Sequence, residues 1–324
     1  MQYRKFGRTN WQVSDIGYGM WGMGGWTGSD DEESLRSLQR SVDLGCNFFD
    51  TAYVYGTGHS ENLLGELVRA NPDKKLYTAT KVPPKNMQYP TLPEFTLDEC
   101  YPPDHIEEFL HKSLSNAGLE SFDLLQLHTW NDDWTRSNGW SDMLDSLKRQ
   151  GLIEACGISI NRWEPWNGVE AVRSGKVDSV QVVYNVFDQN PEDELFPACA
   201  DMDVAVIARV PFDEGSLTGA MTKDTTFPEG DFRSVYFSPE KLGPIIDHVD
   251  ALRPLVPDDS TMAELSLRFI LSEPAVSTII PGMRKNHHVE SNIATSDAGA
   301  LDADLLGRLR DHRWVRKAPP NAAL

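Results

Sequence analysis

Residues 123–159 read DLLQLHTWNDDWTRSNGWSDMLDSLKRQGLIEACGIS and contain a complete strand–helix–strand pattern. The two ends, Asp123–His128 and Ile153–Ser159, are short and almost continuously apolar, which is typical of parallel strands covered on both faces. Between them, Gly139–Gln150 places apolar residues at the spacing of an amphipathic helix. The stretch therefore predicts a β-α-β unit of a parallel sheet.

The same pattern recurs along the whole chain. Further strands are predicted at Val13–Gly19, Asn47–Asp50, Leu76–Lys81, Ser179–Asn185, Val204–Val210 and Val276–Gly282. Further helices are predicted at 29–45, Ser60–Ala70, Pro103–Ala117, Glu164–Ser174, Glu192–Met202, Ser260–Ser272 and Asn286–Thr295, the first after a capping box at Ser29-Asp30-Asp31-Glu32. Eight such units predict an α/β fold, a (β/α)8 TIM barrel forming one domain over residues 1–324. An open, doubly wound sheet is the alternative, but eight comparable units favour closure.

The chain is longer than a typical barrel of ~250 residues, and the sequence shows where the additional residues lie. Residues 1–12 are predicted to form a hairpin that caps the lower end of the barrel. Insertions follow the third and seventh strands, at Pro83–Pro103 and Pro211–Pro239, and two extra helices are predicted at Pro239–Leu255 and Asp302–Arg316.

The composition argues against several classes of function. With 30 Lys and Arg against 49 Asp and Glu, the net charge is -19, which disfavours binding to nucleic acid or to anionic membranes. No apolar stretch approaches the ~20 residues that span a bilayer, and the N-terminus lacks the apolar run of a secretion signal. Four scattered cysteines are interpreted as reduced thiols of a cytoplasmic protein. No HExxH motif occurs and His287-His288 lacks further ligands at metal spacing, so no metal site is predicted.

Four polar residues lie at or just after predicted strand ends. Asp50 ends the second strand, Tyr55 lies five residues further on, Lys81 ends the third strand and His128 ends the fourth. In a barrel these ends share one rim, where active sites lie. An ammonium lowers the pKa of a nearby phenol, a carboxylate holds the ammonium, and an imidazole orients a carbonyl. Each residue alone has a structural interpretation, but together they favour a proton donor for carbonyl reduction.

The segments FFDTAYVYGTGHSENLLGELV, TATKV, DLLQLH, GISIN and IIPGMRKNHHVESN resemble, in this order, the aldo-keto reductase superfamily over nearly the whole chain. The resemblance implies reduction of an aldehyde or ketone to an alcohol. It implies Tyr55 as general acid/base, with Lys81 and Asp50 tuning it and His128 positioning the substrate. It also implies NADPH as cofactor, bound extended across the barrel mouth without a Rossmann fold.

The resemblance further implies cofactor contacts. From the nicotinamide amide to the adenosine end they are Ser159, Asn161, Gln181, Arg209, Phe212, Gly215, Gly282, Arg284, His288 and Asn292, with Asp50, Met20 and Trp21 nearby. Arg209 stands where the family often has an aromatic residue, and its charge predicts a preference for NADPH over NADP⁺. Ile160 splits the family's Ser-Asn pair at the nicotinamide amide. At the adenosine end, Ser291 replaces a frequent Glu and His288 a frequent Gln or Arg, so NADH is the alternative cofactor.

The glycines of GYGMWG (Gly17–Gly22) fit GxGxxG, but the next helical pattern begins only at about Ser29. They are therefore interpreted as a loop that lets cofactor and substrate approach, not as a Rossmann turn.

Aromatic residues in the predicted loops indicate a small carbonyl compound as partner, either one that is flat or apolar or one that presents the apolar face of a sugar. Trp21 and Trp130 adjoin strand ends and are predicted to bind substrate with Tyr55 and His128, with Trp26 as a further aromatic; the alternative is that they only pack loops. Two other functions are weighed. A regulatory subunit, resembling the β subunits of voltage-gated potassium channels, has no need of the intact set of four. A phosphate-sugar isomerase needs a catalytic Glu that the sixth and eighth strand ends lack.

Overall fold

A computed structural model describes residues 1–25 and 28–316 of the chain. An antiparallel hairpin, β1 (Tyr3–Lys5) and β2 (Gln12–Ser14), precedes eight parallel strands that follow one another around a nearly closed barrel in sequence order. These strands are β3 (Tyr18–Gly19), β4 (Phe48–Asp50), β5 (Tyr77–Val82), β6 (Phe122–Leu127), β7 (Ile153–Ser159), β8 (Ser179–Val183), β9 (Ala205–Arg209) and β10 (Val276–Ile279). The predicted (β/α)8 fold and its hairpin are confirmed.

Helices follow each barrel strand. They are α1 (Asp31–Asp43), α2 (His59–Ala70), α3 (Leu97–Cys100), α4 (Pro103–Ala117), α5 (Gly139–Arg149), α6 (Val169–Arg173), α7 (Leu195–Met202), α8 (Arg233–Tyr236), α9 (Pro239–Leu252), α10 (Met262–Leu271), α11 (Asn286–Ala298) and α12 (Ala303–Arg310). The predicted extra helices correspond to α9 and α12. The short α3 and α8 lie inside the two insertions, where the sequence pattern predicts no helix, and α6 is shorter than its prediction.

The start of α1 differs from the predicted capping box by one residue. The N-cap is Asp30, whose side chain accepts a hydrogen bond of 2.7 Å from the backbone N–H of Glu33. A carboxylate also interacts favourably with the positive end of the helix dipole, which favours Asp30 over Ser29 at this position.

The first predicted strand is divided in the structure. Its opening residues belong to β2, and only Tyr18–Gly19 pair with β4. The barrel closes through two isolated parallel bridges, Ile16 to Ile279 and Gly19 to Gly282. A Cβ on Gly19 would lie 2.6 Å from the carbonyl oxygen of Ile280, so this seam requires glycine.

The lower part of the barrel interior is apolar. Phe6 and Trp11 of the hairpin stack with ring centroids 5.3 Å apart, and Phe6 also contacts Phe48 of β4. Ala79 and Leu124 complete this buried layer. Because side chains alternate along a strand, the residues two positions further point to the same interior. That register puts Asp50, Lys81 and Gln126 in the layer above, and the hydrogen bonds of that layer connect all three.

Candidate active site

The upper interior layer is built around a buried ion pair. Lys81 is 0% exposed and Asp50 is 2% exposed, and the Lys81 ammonium donates to the Asp50 carboxylate. It also donates to the Thr51 carbonyl at 2.7 Å. The second oxygen of Asp50 accepts from Gln126 at 3.1 Å and from Gln181 at 2.9 Å. The ammonium is therefore fixed at one place, with its charge balanced.

Tyr55 lies above this pair, in the turn between β4 and α2. Its hydroxyl oxygen is 3.4 Å from Lys81 Nζ. Burial raises the pKa of Tyr55 above its ordinary value and outweighs the opposing effect of Lys81. The sequence considered alone predicted a lowered value, because it took account of the ammonium and not of the removal of water. The phenol is therefore protonated and can act as a hydrogen-bond donor.

His128 follows the end of β6 and stands between two tyrosines. Its ring centroid is 5.8 Å from that of Tyr55 and 5.2 Å from that of Tyr89, both edge-on. Burial, together with the charges of Lys81 and Arg209, holds the pKa of His128 well below its usual range. The imidazole is therefore neutral, and within the described residues its buried Nδ1 makes no hydrogen bond.

The residues assigned to the nicotinamide amide lie at the ends of β7 and β8. Ser159 is buried and is paired in register with Gln181, which places both in the upper interior layer. The side-chain nitrogen of Gln181 donates to Asp50, so in this structure it supports the ion pair. Asn161 lies beyond the strand, where its side chain accepts from the backbone N–H of Trp163 at 3.1 Å.

Arg209, the last residue of β9, reaches across the same rim. Its Nη2 donates to the carbonyl oxygen of Ile160 at 3.0 Å, while Nε is buried without a partner in the described chain. Burial lowers the pKa of Arg209, and Tyr55 acts in the opposite direction. A guanidinium nevertheless stays charged in proteins, so Arg209 is a fixed cation beside Tyr55 and His128.

The next stretch of chain supplies the loop that contains Phe212 and Gly215. Phe212 is half-buried, and Gly215 has φ of 107°, a left-handed conformation that favours glycine. Leu217 donates its backbone N–H to the Phe212 carbonyl at 3.0 Å, so the loop folds back on itself above β9.

The residues assigned to the adenosine end surround the seam of the barrel. Gly282 pairs with Gly19, and Arg284 Nη1 lies 3.3 Å from the carbonyl oxygen of Gly22. His288 is exposed on the first turns of α11, whereas Asn292 is buried one turn later. Arg284 and His288 therefore offer polar groups to solvent at this end, and Asn292 offers little surface.

Residues 15–313 match the model of the Aldo/keto reductase family. The chain belongs to this family. It is 27% identical over 310 residues to the NADH-specific methylglyoxal reductase of Escherichia coli (strain K12), covering 92% of this chain and 94% of that protein. It is 29% identical over 328 residues to aldo-keto reductase yakc of Schizosaccharomyces pombe (strain 972 / ATCC 24843), whose name specifies NADP(+), covering 98% and 92%. The structure of the glycerol dehydrogenase AKR11B4 from Gluconobacter oxydans matches with a TM-score of 0.80 at 25% identity, covering 99% of this chain and 98% of that chain.

This aldo-keto reductase is an NAD(P)H-dependent reductase, and two of its residues predicted to contact ligands have fully buried side chains. Trp130 is 0% exposed and packs against Trp134 and Trp140, with ring centroids 5.6 and 4.8 Å away. It contributes to loop packing and presents no surface to a substrate. Met20 is likewise fully buried, and its backbone groups bond to Asp50 and Ser60.

Of the two tryptophans predicted to bind substrate, Trp21 is exposed at the mouth of the barrel whereas Trp130 is buried. Trp21 is 41% exposed, and its ring meets that of Phe232 edge-on at 5.0 Å. Trp26 lies outside the described residues. Phe232 belongs to the insertion after β9, so the loop after β3 and this insertion meet across the rim.

Two further residues of the reductase site were missed. Gln126 donates a hydrogen bond to Asp50. The alternation of side chains along a strand could have predicted this position, because Gln126 precedes His128 by two residues in DLLQLH and faces the same side. Tyr89, whose buried hydroxyl makes no hydrogen bond within the described residues, reaches His128 because the insertion after β5 folds back. No local pattern predicts that approach.

Two absences hold for the part of the reductase that the structure describes. No group of three or more potential metal ligands lies together there. None of its helices is long and apolar enough to cross a membrane.

Proposed function

We propose that this protein is an NADPH-dependent reductase that converts an aldehyde or ketone to an alcohol, with Tyr55 donating the proton to the carbonyl oxygen. The observation that carries the proposal is the distance of 3.4 Å between the Tyr55 hydroxyl and the ammonium of fully buried Lys81. A phenol beside a fixed cation can give up its proton, because the phenolate that remains is stabilised where it forms.

The raised pKa of Tyr55 supports its role as an acid. The phenol is protonated before a carbonyl compound binds, so it can donate a hydrogen bond to the carbonyl oxygen. As the proton moves, negative charge develops on Tyr55 and its attraction to Lys81 increases. Asp50, Gln126 and Gln181 keep the ammonium in position during this change. The interaction is therefore stronger in the transition state than in the ground state, which is what accelerates a reaction.

His128 is proposed to orient the carbonyl. A neutral imidazole offers one N–H donor and adds no charge that would compete with Tyr55 for the developing negative oxygen. Its ring is held edge-on by Tyr55 and Tyr89, which restricts its rotation. Trp21 and Tyr89 are proposed to line the space for the rest of a small carbonyl substrate.

The donor groups of this rim fit a nicotinamide nucleotide, and a reduced nicotinamide supplies the hydride when it is bound. Arg209 Nε is buried without a partner among the residues that the structure describes, and Arg284 presents a guanidinium suited to bidentate phosphate recognition. The residues proposed to hold the cofactor are Trp21, Asp50, Ser159, Asn161, Gln181, Arg209, Phe212, Gly215, Gly282, Arg284, His288 and Asn292. Arg284 is the reason for preferring NADPH over NADH, because it alone of these offers a cation at the adenosine end.

The test is a steady-state assay with 4-nitrobenzaldehyde and NADPH on the wild-type protein and on Tyr55→Phe. We expect turnover by the wild type and a loss of about 10²- to 10⁴-fold in kcat for the variant, the usual contribution of a general acid. Tyr53→Phe is the matched control, since Tyr53 lies on the same turn but packs against Phe109. Retained turnover in Tyr55→Phe contradicts the assigned acid. Cofactor binding without any turnover by the wild type would favour a regulatory subunit instead.

A further inference from the structure

A buried cluster of charged and hydroxyl side chains, here called the rim cluster, consists of Arg162, Asp188, Asp213, Tyr236 and Arg316. Arg162 binds Asp188 at 2.7 Å and also binds Asp213 and Tyr236. Arg316 binds Asp213 at 3.0 Å and also binds Asp188. Tyr236 donates to Asp213 at 2.8 Å. The cluster thus joins the segments that follow β7, β8 and β9 to the C-terminal tail.

Asp213 is the centre of the rim cluster and lies in the loop whose residues Phe212 and Gly215 are proposed to hold the cofactor. Its side chain is 0% exposed, and it also accepts from Ser216 at 2.8 Å. Asp213, Glu214 and Gly215 have φ values of 45°, 57° and 107° in succession. A non-glycine residue in this region is strained and persists only where its surroundings enforce it. The ion pairs of Asp213 provide that enforcement.

The charges of the rim cluster balance, with two carboxylates and two guanidinium groups. Burial would raise the pKa of Asp213, but Arg316 and Arg162 outweigh it and hold the pKa well below its ordinary range. Without Arg316, two buried carboxylates would share one guanidinium. A net negative charge would then lie beside the loop proposed to approach an anionic cofactor.

The tail that carries Arg316 is docked by three successive contacts. Trp314 stacks on His248 of α9 with ring centroids 3.9 Å apart, and its backbone N–H donates to the Phe187 carbonyl at 2.9 Å. One residue earlier, Arg313 pairs at the surface with Asp193. Arg316 then enters the rim cluster, where its side chain is 10% exposed. Its burial distinguishes it from Arg313, which is 34% exposed.

We propose that Arg316 makes the C-terminal tail part of the cofactor site, as a positioning residue that holds the loop from Phe212 to Gly219 in its binding conformation. This inference rests on the proposed function. Tail docking and cofactor binding are then linked, so each favours the other to the same extent. Arg316 itself need not touch the cofactor, because Asp213 transmits its effect to the loop.

The experiment compares Arg316→Gln with the matched control Arg313→Gln and with the conservative Arg316→Lys. NADPH dissociation constants are measured by fluorescence titration, and kcat at saturating NADPH is measured separately. We expect Arg316→Gln to weaken NADPH binding about tenfold or more, as the loss of a charge-assisted hydrogen bond does, with kcat changed less than about twofold. Arg313→Gln should change either quantity less than about twofold, because an exposed ion pair such as Arg313–Asp193 contributes little to the docking of the tail. Arg316→Lys should recover part of the affinity.

Hydrogen exchange on the wild type provides a second measurement that needs no variant to fold. NADPH should slow the exchange of the Trp314 amide, which is bonded to Phe187. Unchanged affinity in Arg316→Gln, a fall in kcat alone, or exchange unaffected by NADPH would each overturn the inference. Failure of the wild type to bind either NADPH or NADH would instead overturn the proposed function, so the two failures are distinguishable.

Discussion

Lys81 Nζ lies 3.4 Å from the hydroxyl oxygen of Tyr55, although the two residues are 26 positions apart and leave different strands. The contact between them does not determine the position of either side chain. Lys81 is fixed by the interior alternation of β5 and by its bond to Asp50, whereas Tyr55 is fixed by the turn that leads into α2. The barrel therefore creates the contact by bringing two independently determined positions to one rim.

Lys81→Met should destabilise the protein, because it leaves Asp50 as an unpaired charge at 2% exposure. Breaking a buried ion pair from one side costs about 3–5 kcal/mol, whereas removing both charges is often much less costly. We therefore expect Lys81→Met to lose more unfolding free energy than the double variant Asp50→Asn/Lys81→Met. Urea unfolding followed by circular dichroism compares the two. Equal stability of Lys81→Met and the wild type would show that the pair is not desolvated as described.

The pH dependence of reduction should follow Tyr55 and not His128. The pKa of Tyr55 is raised from an ordinary value of about 10, so the acid keeps its proton throughout the neutral range. The pKa of His128 is lowered well below about 6.5, so its ring stays neutral over the same range. We expect kcat for reduction to be level from about pH 6 to 9 and to fall only above that, as Tyr55 loses its proton. A titration step between pH 6 and 7 that disappears in His128→Gln would contradict the neutral assignment.

Much of this fold is predictable because regular patterns of apolar residues run through its helices and strands. Apolar runs alternating with helical spacing predict the eight units, and the period of two along each strand predicts which residues face the interior. The same period brings Asp50 and Lys81 into contact. The division of the first strand is not predictable in this way, because it results from the seam with β10, a partner more than 250 residues away.

The parts of the site that sequence did not predict depend on irregular segments. Trp130 adjoins a strand end, but the backbone N–H of Thr129 bonds to the Tyr101 hydroxyl at 2.8 Å, and the chain then turns towards Trp140 of α5. Asp213 and Arg316 lie 103 residues apart in segments without periodicity. The raised pKa of Tyr55 depends on burial, which only the assembled barrel determines.

Arg284→Gln should distinguish the two nicotinamide cofactors. NADPH carries a 2′-phosphate that NADH lacks, and Arg284 is the guanidinium proposed to meet it. A hydrogen bond to a charged group is worth about 1.5–3 kcal/mol, so NADPH affinity should fall about ten- to a hundredfold while NADH affinity stays the same. Arg40→Gln is the matched control, since Arg40 pairs with Glu290 on the surface between α1 and α11. Parallel losses for both cofactors would place the 2′-phosphate elsewhere.

Arg209→Met should change the balance between the oxidised and reduced cofactor. The oxidised nicotinamide ring carries a positive charge that the reduced ring lacks, and Arg209 is a cation held at the rim by Ile160. A unit charge about 4 Å away contributes ~1 kcal/mol even at the dielectric constant of bulk water, which is about fivefold in affinity. We therefore expect the wild type to bind NADPH at least about fivefold more tightly than NADP⁺, and Arg209→Met to bring the two dissociation constants together. Fluorescence titration measures NADPH and calorimetry measures NADP⁺. Because added salt screens buried charges much less than exposed ones, the ratio of the two dissociation constants of the wild type should depend little on ionic strength. Equal dissociation constants for NADPH and NADP⁺ in the wild type would refute the electrostatic argument.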